Sequence, residues 1–315
     1  MEDHDLAHDD TFYPASTVLL VTNLQRYLLL ASLALSSFLF GCKVKPDDFT
    51  KCVQQPVALW LSMMVSVILA PLTAYVLSLI IHLNYSYGLT LLITSICPAG
   101  ALSPVFAYYT QADVCLCLSV FVLSTLMSVG MIPLGVFLCS RAYRQLRLAV
   151  LPNNVIVIAL CVAIGCIAIG MTVRHRKQKM ADKIVLALGY TPTLIIVAML
   201  ILVGTTIPHS MHFSVSEFFT VLLYHLILMS GTYILGYLSG QTHGSCRAMA
   251  LSSASKSILL AKTIVHTSFM GDVLVSTLPI PTLFLIQYLV IGFLLSALHR
   301  IYRYHLPTPV FVQSE

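Results

Sequence analysis

Two apolar stretches of the sequence are interrupted by residue types that can take part in chemistry. Ser95–Phe106 reads SICPAGALSPVF, and Ser252–Ser257 reads SSASKS. Pro98 and Pro104 each remove a backbone donor, and Gly100 permits conformations that other residues avoid. Irregular backbone survives in a membrane only inside protein or beside a water-filled cavity. We therefore expect helix breaks whose free N–H and C=O groups face a ligand, with a proline kink as the alternative for the first stretch taken alone.

The composition is that of a membrane protein. The 315 residues are 58% hydrophobic and only 9% charged, with a mean hydropathy of +0.91, whereas a soluble domain has about 25% charged residues. Sequence motifs of hydrolases and metalloproteases, Gly-x-Ser-x-Gly and His-Glu-x-x-His, do not occur. We predict an all-α polytopic membrane protein that is not an enzyme and needs no cofactor or metal.

Apolar runs long enough to cross a bilayer recur along the chain and predict about nine transmembrane helices. The predicted spans are about 18–41, 57–82, 87–108, 114–138, 153–173, 184–204, 215–239, 248–269 and 276–299. Eleven Lys and Arg residues lie in one set of alternate loops and three, Arg141, Arg144 and Arg147, in the other. The positive-inside rule then places the N-terminus outside and the C-terminus in the cytoplasm, and we expect the plasma membrane.

The two interruptions lie at corresponding places in the two halves of the chain. The first is in the third of four spans, and the second is in the next to last of the following five. If the first half lacks one leading helix, both halves are five-helix repeats with matching breaks, as in secondary transporters. We predict inverted repeats, about 17–138 and 153–304, in a transporter domain spanning 17–304. An acidic extracellular tail, 1–16, precedes it and a cytoplasmic tail, 305–315, follows it.

Four segments and the spacing of the eighth span form a recognisable set: GCKVKPDDF, APLTAYVL, CPAGALSPVFAYYTQAD and SVGMIPLGVFLCSRAY. On these segments, the chain resembles the bile acid:sodium symporter family from about Gly41 to Arg303. The resemblance implies a panel made of the first, fifth and sixth spans, and a core in which the third and eighth spans cross at their breaks. It also implies sodium-driven uptake of amphipathic anions such as bile acids and sulfated steroids.

The sodium ligands of that family are largely replaced. Where the family has Gly-Gly-Asn-x-Ser-Asn, this chain has Ala99–Pro104, and its Glu-Thr-Gly-x-Gln-Asn becomes Ser252–Ser257. The candidate substrate- or ion-binding residues are Pro98, Gly100, Ser103, Pro104, Ser252, Ser255, Lys256 and Ser257. The degenerate sodium-site positions are Ser66, Ala101, Cys117 and Phe121. Sodium coupling therefore does not follow from the resemblance.

Charge supports the same conclusion from the residues alone. A hard cation prefers oxygen ligands and usually a carboxylate, yet every acid lies in a tail, a loop or a span end. Lys256 lies at membrane depth instead, with Lys262 six residues later, although Lys262 can alternatively extend toward the outer surface. We hypothesise that the Lys256 ammonium takes the place of one sodium ion. Burial favours the neutral amine over the ammonium, so the lysine can release a proton. Transport coupled to protons is therefore an alternative to transport coupled to no ion.

The partners follow from this interpretation. They are an anionic small molecule, the lipid bilayer and a coupling ion, either sodium or a proton, and nucleic acid is not expected. The small-xxx-small motif Gly236–Gly240 fits a homodimer contact and also packing within the bundle. The alternative function is a family member that no longer transports and acts as a membrane scaffold or a binder of sterol anions.

Overall fold

The computed structural model describes residues 15–43, 56–100, 102–142, 153–188, 213–268 and 277–305, and a few positions between 191 and 201. Within these ranges the chain is helical, apart from turns and one isolated β-bridge. Nearly all of the predicted N-terminal tail lies outside the described residues. So do the predicted C-terminal tail after His305 and most of the sixth predicted span. So do Arg144 and Arg147, two of the three arginines that depart from the loop-charge rule.

The predicted helical architecture is confirmed. In chain order the helices are α1 Ala15–Lys43, α2 Pro56–Met64, α3 Ala70–Ile80, α4 Tyr85–Ile96, α5 Ser103–Tyr109, α6 Val114–Ala142, α7 Asn153–Arg176, α8 Gln178–Leu188, α9 Val215–Leu238, α10 His243–Ala254, α11 Ile258–Ser268 and α12 Pro279–His305. In the described part, four segments are long and apolar enough to cross a membrane: Val57–Ile80, Val114–Gly135, Val215–Leu238 and Pro279–Tyr302. The count of nine spans stays a prediction.

The second predicted span contains a widened turn. A π-helical segment, Val65–Leu69, joins α2 to α3, and the N–H of Ala70 bonds the carbonyl of Val65, five residues earlier. Pro71 follows in the first turn of α3. Proline has no N–H and crowds the carbonyl four residues before it, so the wider turn accommodates the ring without ending the helix.

Helices α1 and α7 approach so closely that their backbones touch. A Cβ on Gly41 would lie 3.0 Å from Gly170 Cα, and a Cβ on Gly170 would lie 2.8 Å from Cys42 N. Only glycine fits at both positions, as at other close crossings of membrane helices. This pair corresponds to two of the three spans predicted for the panel. Arg174, at the end of α7, forms an ion pair with Asp182 of α8.

Helices α9 and α10 form a hairpin that holds the eighth span in place. A capping box begins α9, because Ser214 Oγ accepts the N–H of Glu217 and the Glu217 carboxylate accepts the N–H of Ser214. Gly240 has a φ of +72° in the connection. Gly236 faces α10, where an added Cβ would lie 3.1 Å from Met249 Sδ. Gly236 therefore serves packing within the bundle, and the homodimer stays a prediction.

The largest apolar cluster surrounds the two interruptions. It combines buried side chains from both halves of the chain, including Leu91 of α4, Tyr224 of α9 and Phe284 of α12. Ala99 and Ala254, which lie in or beside the interruptions, belong to it and are fully buried. The irregular backbone is thus enclosed by protein, as its survival in hydrocarbon requires.

Candidate functional site

The third span is broken, as predicted, between Ile96 and Ser103. Cys97 has an extended ψ of 149°, and α5 begins with Pro104 in its first turn, where the missing N–H costs nothing. The N–H of Ala99 bonds Ser124 Oγ of α6 at 3.1 Å. The break is therefore a fixed crossover between two short helices and not a proline kink.

The eighth span is broken between Ala254 and Ile258 without any proline or glycine. Ser255 has an extended ψ of 127°, and its N–H still bonds the carbonyl of Leu251 at 3.1 Å. Ser253 Oγ donates to the carbonyl oxygen of Ala250 at 3.0 Å, a local hydrogen bond of the kind by which small polar residues weaken a helix.

The two breaks meet directly. Ala99 and Lys256 form an antiparallel β-bridge. Gly100 N–H donates to Ser255 O at 3.1 Å, and Ser257 N–H donates to Pro98 O at 2.8 Å. The expectation that the freed backbone groups face a ligand needs refinement, because these four pair with one another. Their mutual pairing holds the crossing together and leaves the side chains around it for other partners.

Glycine is required at the closest point of the crossing. A Cβ added to Gly100 would lie 2.5 Å from the carbonyl oxygen of Lys256 and would overlap the Ser255 hydroxyl. Backbone cannot give way as a flexible side chain can, so a larger residue would separate the two breaks.

Lys256 lies at the centre of the crossing with 4% of its surface exposed. Its ammonium donates to the carbonyl oxygen of Ser66 at 3.1 Å. In a regular α-helix that carbonyl would accept the N–H of Ala70, but this N–H bonds Val65 instead, and Pro71, the next residue, has no N–H. The π-turn therefore frees the acceptor that the lysine uses.

Other predicted positions lie nearby with different partners. Ser103 Oγ donates to Gly100 O at 2.9 Å, which stabilises the first break internally. Pro104 is buried in the first turn of α5, and Ser257 is half-buried. The hydroxyls of Ser66 and Ser252 are buried and have no hydrogen-bond partner among the described residues. Ala101 lies outside the described residues.

Two of the degenerate sodium-site positions have packing roles. Cys117 Sγ donates to Ala248 O of α10 at 3.4 Å. The ring of Phe121 contacts Phe40 of α1, with centroids 4.9 Å apart, and belongs to a separate apolar cluster that includes Ile167 of α7. Phe121 therefore joins α6 to the α1–α7 pair and contributes no oxygen ligand.

Sequence reasoning did not find the polar side chains that α9 and α12 place beside the crossing. Tyr224 is fully buried, and its hydroxyl has no partner within the part of the chain described. Thr232 Oγ1 and Ser253 Oγ are 2.9 Å apart, and Tyr288 O–H donates to Leu251 O at 3.0 Å. These residues lie in long apolar runs, where nothing in the sequence distinguishes them from ordinary core residues.

The crossing and the core around it contain groups that can donate hydrogen bonds to an anion. Across the ranges the structure describes, no cluster of three or more His, Cys, Asp or Glu side chains could hold a metal ion. The Lys256 ammonium lies in the crossing, and the buried hydroxyls of Ser66, Tyr224 and Ser252 have no partner among the described residues. Both kinds of group can donate hydrogen bonds to a carboxylate or sulfate oxygen.

Comparison with known proteins gives consistent matches. The model of the Sodium Bile acid symporter family matches residues 30–211, which is more than half of the chain. The chain is 26% identical to an ileal sodium/bile acid cotransporter of Mus musculus over 272 residues, 86% of this chain and 78% of that protein. It is 25% identical to a sodium-dependent organic anion transporter of Homo sapiens over 273 residues, 86% of this chain and 72% of that protein.

Proposed function

Because the chain belongs to the sodium bile acid symporter family, a family of transporters and not of enzymes, we propose that it carries amphipathic organic anions across a membrane. Bile acids and organic anions are the substrates that the names of its relatives give, and within that range we propose bile acids and sulfated steroids, the class that the family resemblance implies. Transport proceeds by alternating access, in which a panel of the first, fifth and sixth spans, to which α1 and α7 belong, moves against the core. The crossing of the two breaks is the site around which access alternates.

One observation carries this proposal, and it is the direct contact between the two breaks. Four backbone groups that ordinary helices would use internally are used here to join two half-helices from different halves of the chain. A structural helix pair has no need of such an arrangement, because continuous helices satisfy their own backbone groups. Paired broken helices at the centre of a membrane protein are typical of a transporter's substrate and ion site.

We further propose that transport does not require sodium. Lys256 already supplies a positive charge at the crossing, bonded to a backbone oxygen of the kind that cations prefer. A sodium ion beside it would meet a like charge in a surrounding of low dielectric constant, which is strongly unfavourable. The remaining alternatives are transport linked to the proton of Lys256 and transport driven by the anion gradient alone.

The test is uptake of a labelled sulfated steroid into vesicles that contain the full chain. We expect equal uptake in sodium and choline media, and strict sodium dependence would contradict the role given to Lys256. Lys256→Gln should reduce uptake at least tenfold, while Lys262→Gln, a buried lysine outside the break, serves as the matched control. If pH dependence is unchanged in Lys256→Gln, the version linked to protons is excluded.

The loss of the family's ion ligands, taken by itself, favours a second function. Ser252, Cys117 and Phe121 lie where the family resemblance implies ion ligands, and none of them carries a charge. A chain that binds sterol anions or serves as a membrane scaffold needs no coupling ion. Saturable binding of the labelled steroid without accumulation in sealed vesicles would support this function over transport.

The proposed topology follows from the loop charges. The N-terminus is outside and the C-terminus is in the cytoplasm of a plasma-membrane protein. Under this orientation the α9–α10 connection, with Arg247, and the end of α12 lie on the cytoplasmic side. Labelling of single cysteines introduced into these two segments, from either side of intact cells, tests the assignment.

A further inference from the structure

A cavity lies beside the α9–α10 hairpin. It has a volume of about 440 Å³, within the range of sites for small organic molecules. Its wall is largely apolar and includes Met229, Leu251, Leu295 and Leu298. Arg247 and His299 also line it. The cavity is therefore amphipathic, because a cationic side chain borders an otherwise largely apolar groove.

Arg247 brings more hydrogen-bond donors to this groove than the protein satisfies. One of its terminal nitrogens, Nη2, donates to the carbonyl of Gln111 at 3.0 Å. Its Nε is buried and has no acceptor among the described residues. The carboxylate of Asp113, which follows Gln111 closely in the chain, accepts the N–H of Leu116 at the start of α6. In the described ranges the ion pair found is Arg174–Asp182, so Arg247 has no carboxylate partner there.

The groove lies apart from the cleft in which a transported anion would move. Its lining comes from the end of α5 and from α9, α10 and α12. These elements all belong to the predicted core, whereas alternating access opens between core and panel. Leu298 and Tyr302 border the groove and are 60% and 66% exposed, so the groove opens on the outer surface of the bundle. In a membrane that surface faces lipid.

We propose that this groove binds one acidic phospholipid, with its phosphate at Arg247 and an acyl chain along Leu295 and Leu298. The contact with Gln111 uses one N–H of Nη2, so a phosphate oxygen in the groove can accept from the remaining N–H groups of the terminal nitrogens, and arginine binds phosphates in paired contacts. With the proposed orientation, Arg247 and the exposed Arg300 lie at the cytoplasmic leaflet, which holds the anionic lipids. A neutral phospholipid would leave the positive charge of Arg247 without a net counter-charge.

The test measures binding of a fluorescent phosphatidylserine to the purified full chain in neutral detergent. Both lipids carry a phosphate, but only phosphatidylserine has a net negative charge, because its headgroup adds a carboxylate, so it should bind about tenfold more tightly than phosphatidylcholine beside the cationic Arg247. Arg247→Gln should remove this preference, whereas Arg247→Lys should retain most of it. Arg300→Gln is the matched control, since Arg300 is exposed and does not line the groove. Equal affinities for the two lipids, or a full preference in Arg247→Gln, would overturn the proposal.

A second variant distinguishes a loss of lipid binding from a loss of folding. Leu298 lines the groove and is 60% exposed, so Leu298→Trp should fold and fill part of the groove. This change should lower the affinity for both lipids at least threefold and keep the preference for phosphatidylserine, because Arg247 is unaltered; unchanged affinities would contradict the groove as the binding site. Displacement of phosphatidylserine by a sulfated steroid at equal concentration would assign the groove to the transported anion and refute a lipid site. None of these measurements depends on transport, so the lipid site and the proposed function can fail separately.

Discussion

Replacing Lys256 with methionine separates the role of its charge in transport from any role in holding the crossing together. The side chain keeps a similar length and stays apolar along its stem, but the ammonium and its hydrogen bond to Ser66 O are lost. Two opposing effects on the free energy of unfolding then have to be compared. One is the cost of keeping a charge in the core, and the other is the value of the hydrogen bond.

The cost of the charge is the larger of the two. A lysine at the centre of a membrane helix costs about 3 kcal/mol, and Lys256 is only 4% exposed. Leaving the Ser66 carbonyl without its donor costs about 2 kcal/mol. Methionine should therefore raise the free energy of unfolding by about 1 kcal/mol, which corresponds to about 2 °C in Tm for a chain of this size. Uptake should nevertheless fall at least tenfold, because the proposed substrate site then lacks its positive charge.

Thermal unfolding in lipid-supplemented detergent and vesicle uptake of a labelled sulfated steroid check the two expectations on the same preparations. Lys262→Met is the matched control, because Lys262 is also buried but lies in α11, beyond the break. It should gain stability without losing uptake. A fall in Tm of several degrees in Lys256→Met would show that the lysine is mainly a structural anchor. Undiminished uptake would refute its role in transport.

Three further predictions concern packing. Gly100→Ala should abolish folded protein, measured by size-exclusion chromatography, because its Cβ meets backbone; Gly130→Ala, which meets nothing within 4 Å, should behave as wild type. Gly170→Ala should separate α7 from α1 and lower Tm by at least 5 °C. Gly165→Ala, the control, should leave Tm unchanged, and equal Tm values for the two variants would contradict the close crossing. Ser214→Ala should cost about 1 kcal/mol through the lost cap of α9, and an unchanged Tm would argue against the capping box.

Much of the fold could be predicted because hydrocarbon leaves the chain few choices. The predicted spans 18–41 and 215–239 differ from α1 and α9 by a few residues at their ends. The first break followed from Pro98, Gly100 and Pro104, whose backbone restrictions act locally. The second break followed from polar side chains where lipid was expected. Each of these signals is carried by residue type at a single stretch of chain.

The partners within the site could not be predicted in the same way. Ser66 was singled out for its side chain, but the atom that contacts Lys256 is its carbonyl oxygen, freed by the π-turn before Pro71. Phe121 was identified only as a position where the family's oxygen ligand is lost, and its ring contact with Phe40 on the α1 side was not predicted. Such contacts depend on which way a helix faces after it has packed against its neighbours.

The sequence by itself determined that this chain is helical, crosses a membrane and interrupts two helices, one near Pro98–Pro104 and one within Ser252–Ser257, where Ser252–Ala254 remain helical. These properties follow from hydropathy, proline and small polar residues, which act over one or two helical turns. Only the tertiary structure decided that the two interruptions bond to each other and that Lys256 reaches a carbonyl 190 residues away in the chain. Backbone atoms are chemically the same in every residue, so their pairing is set by packing and leaves no mark in the sequence.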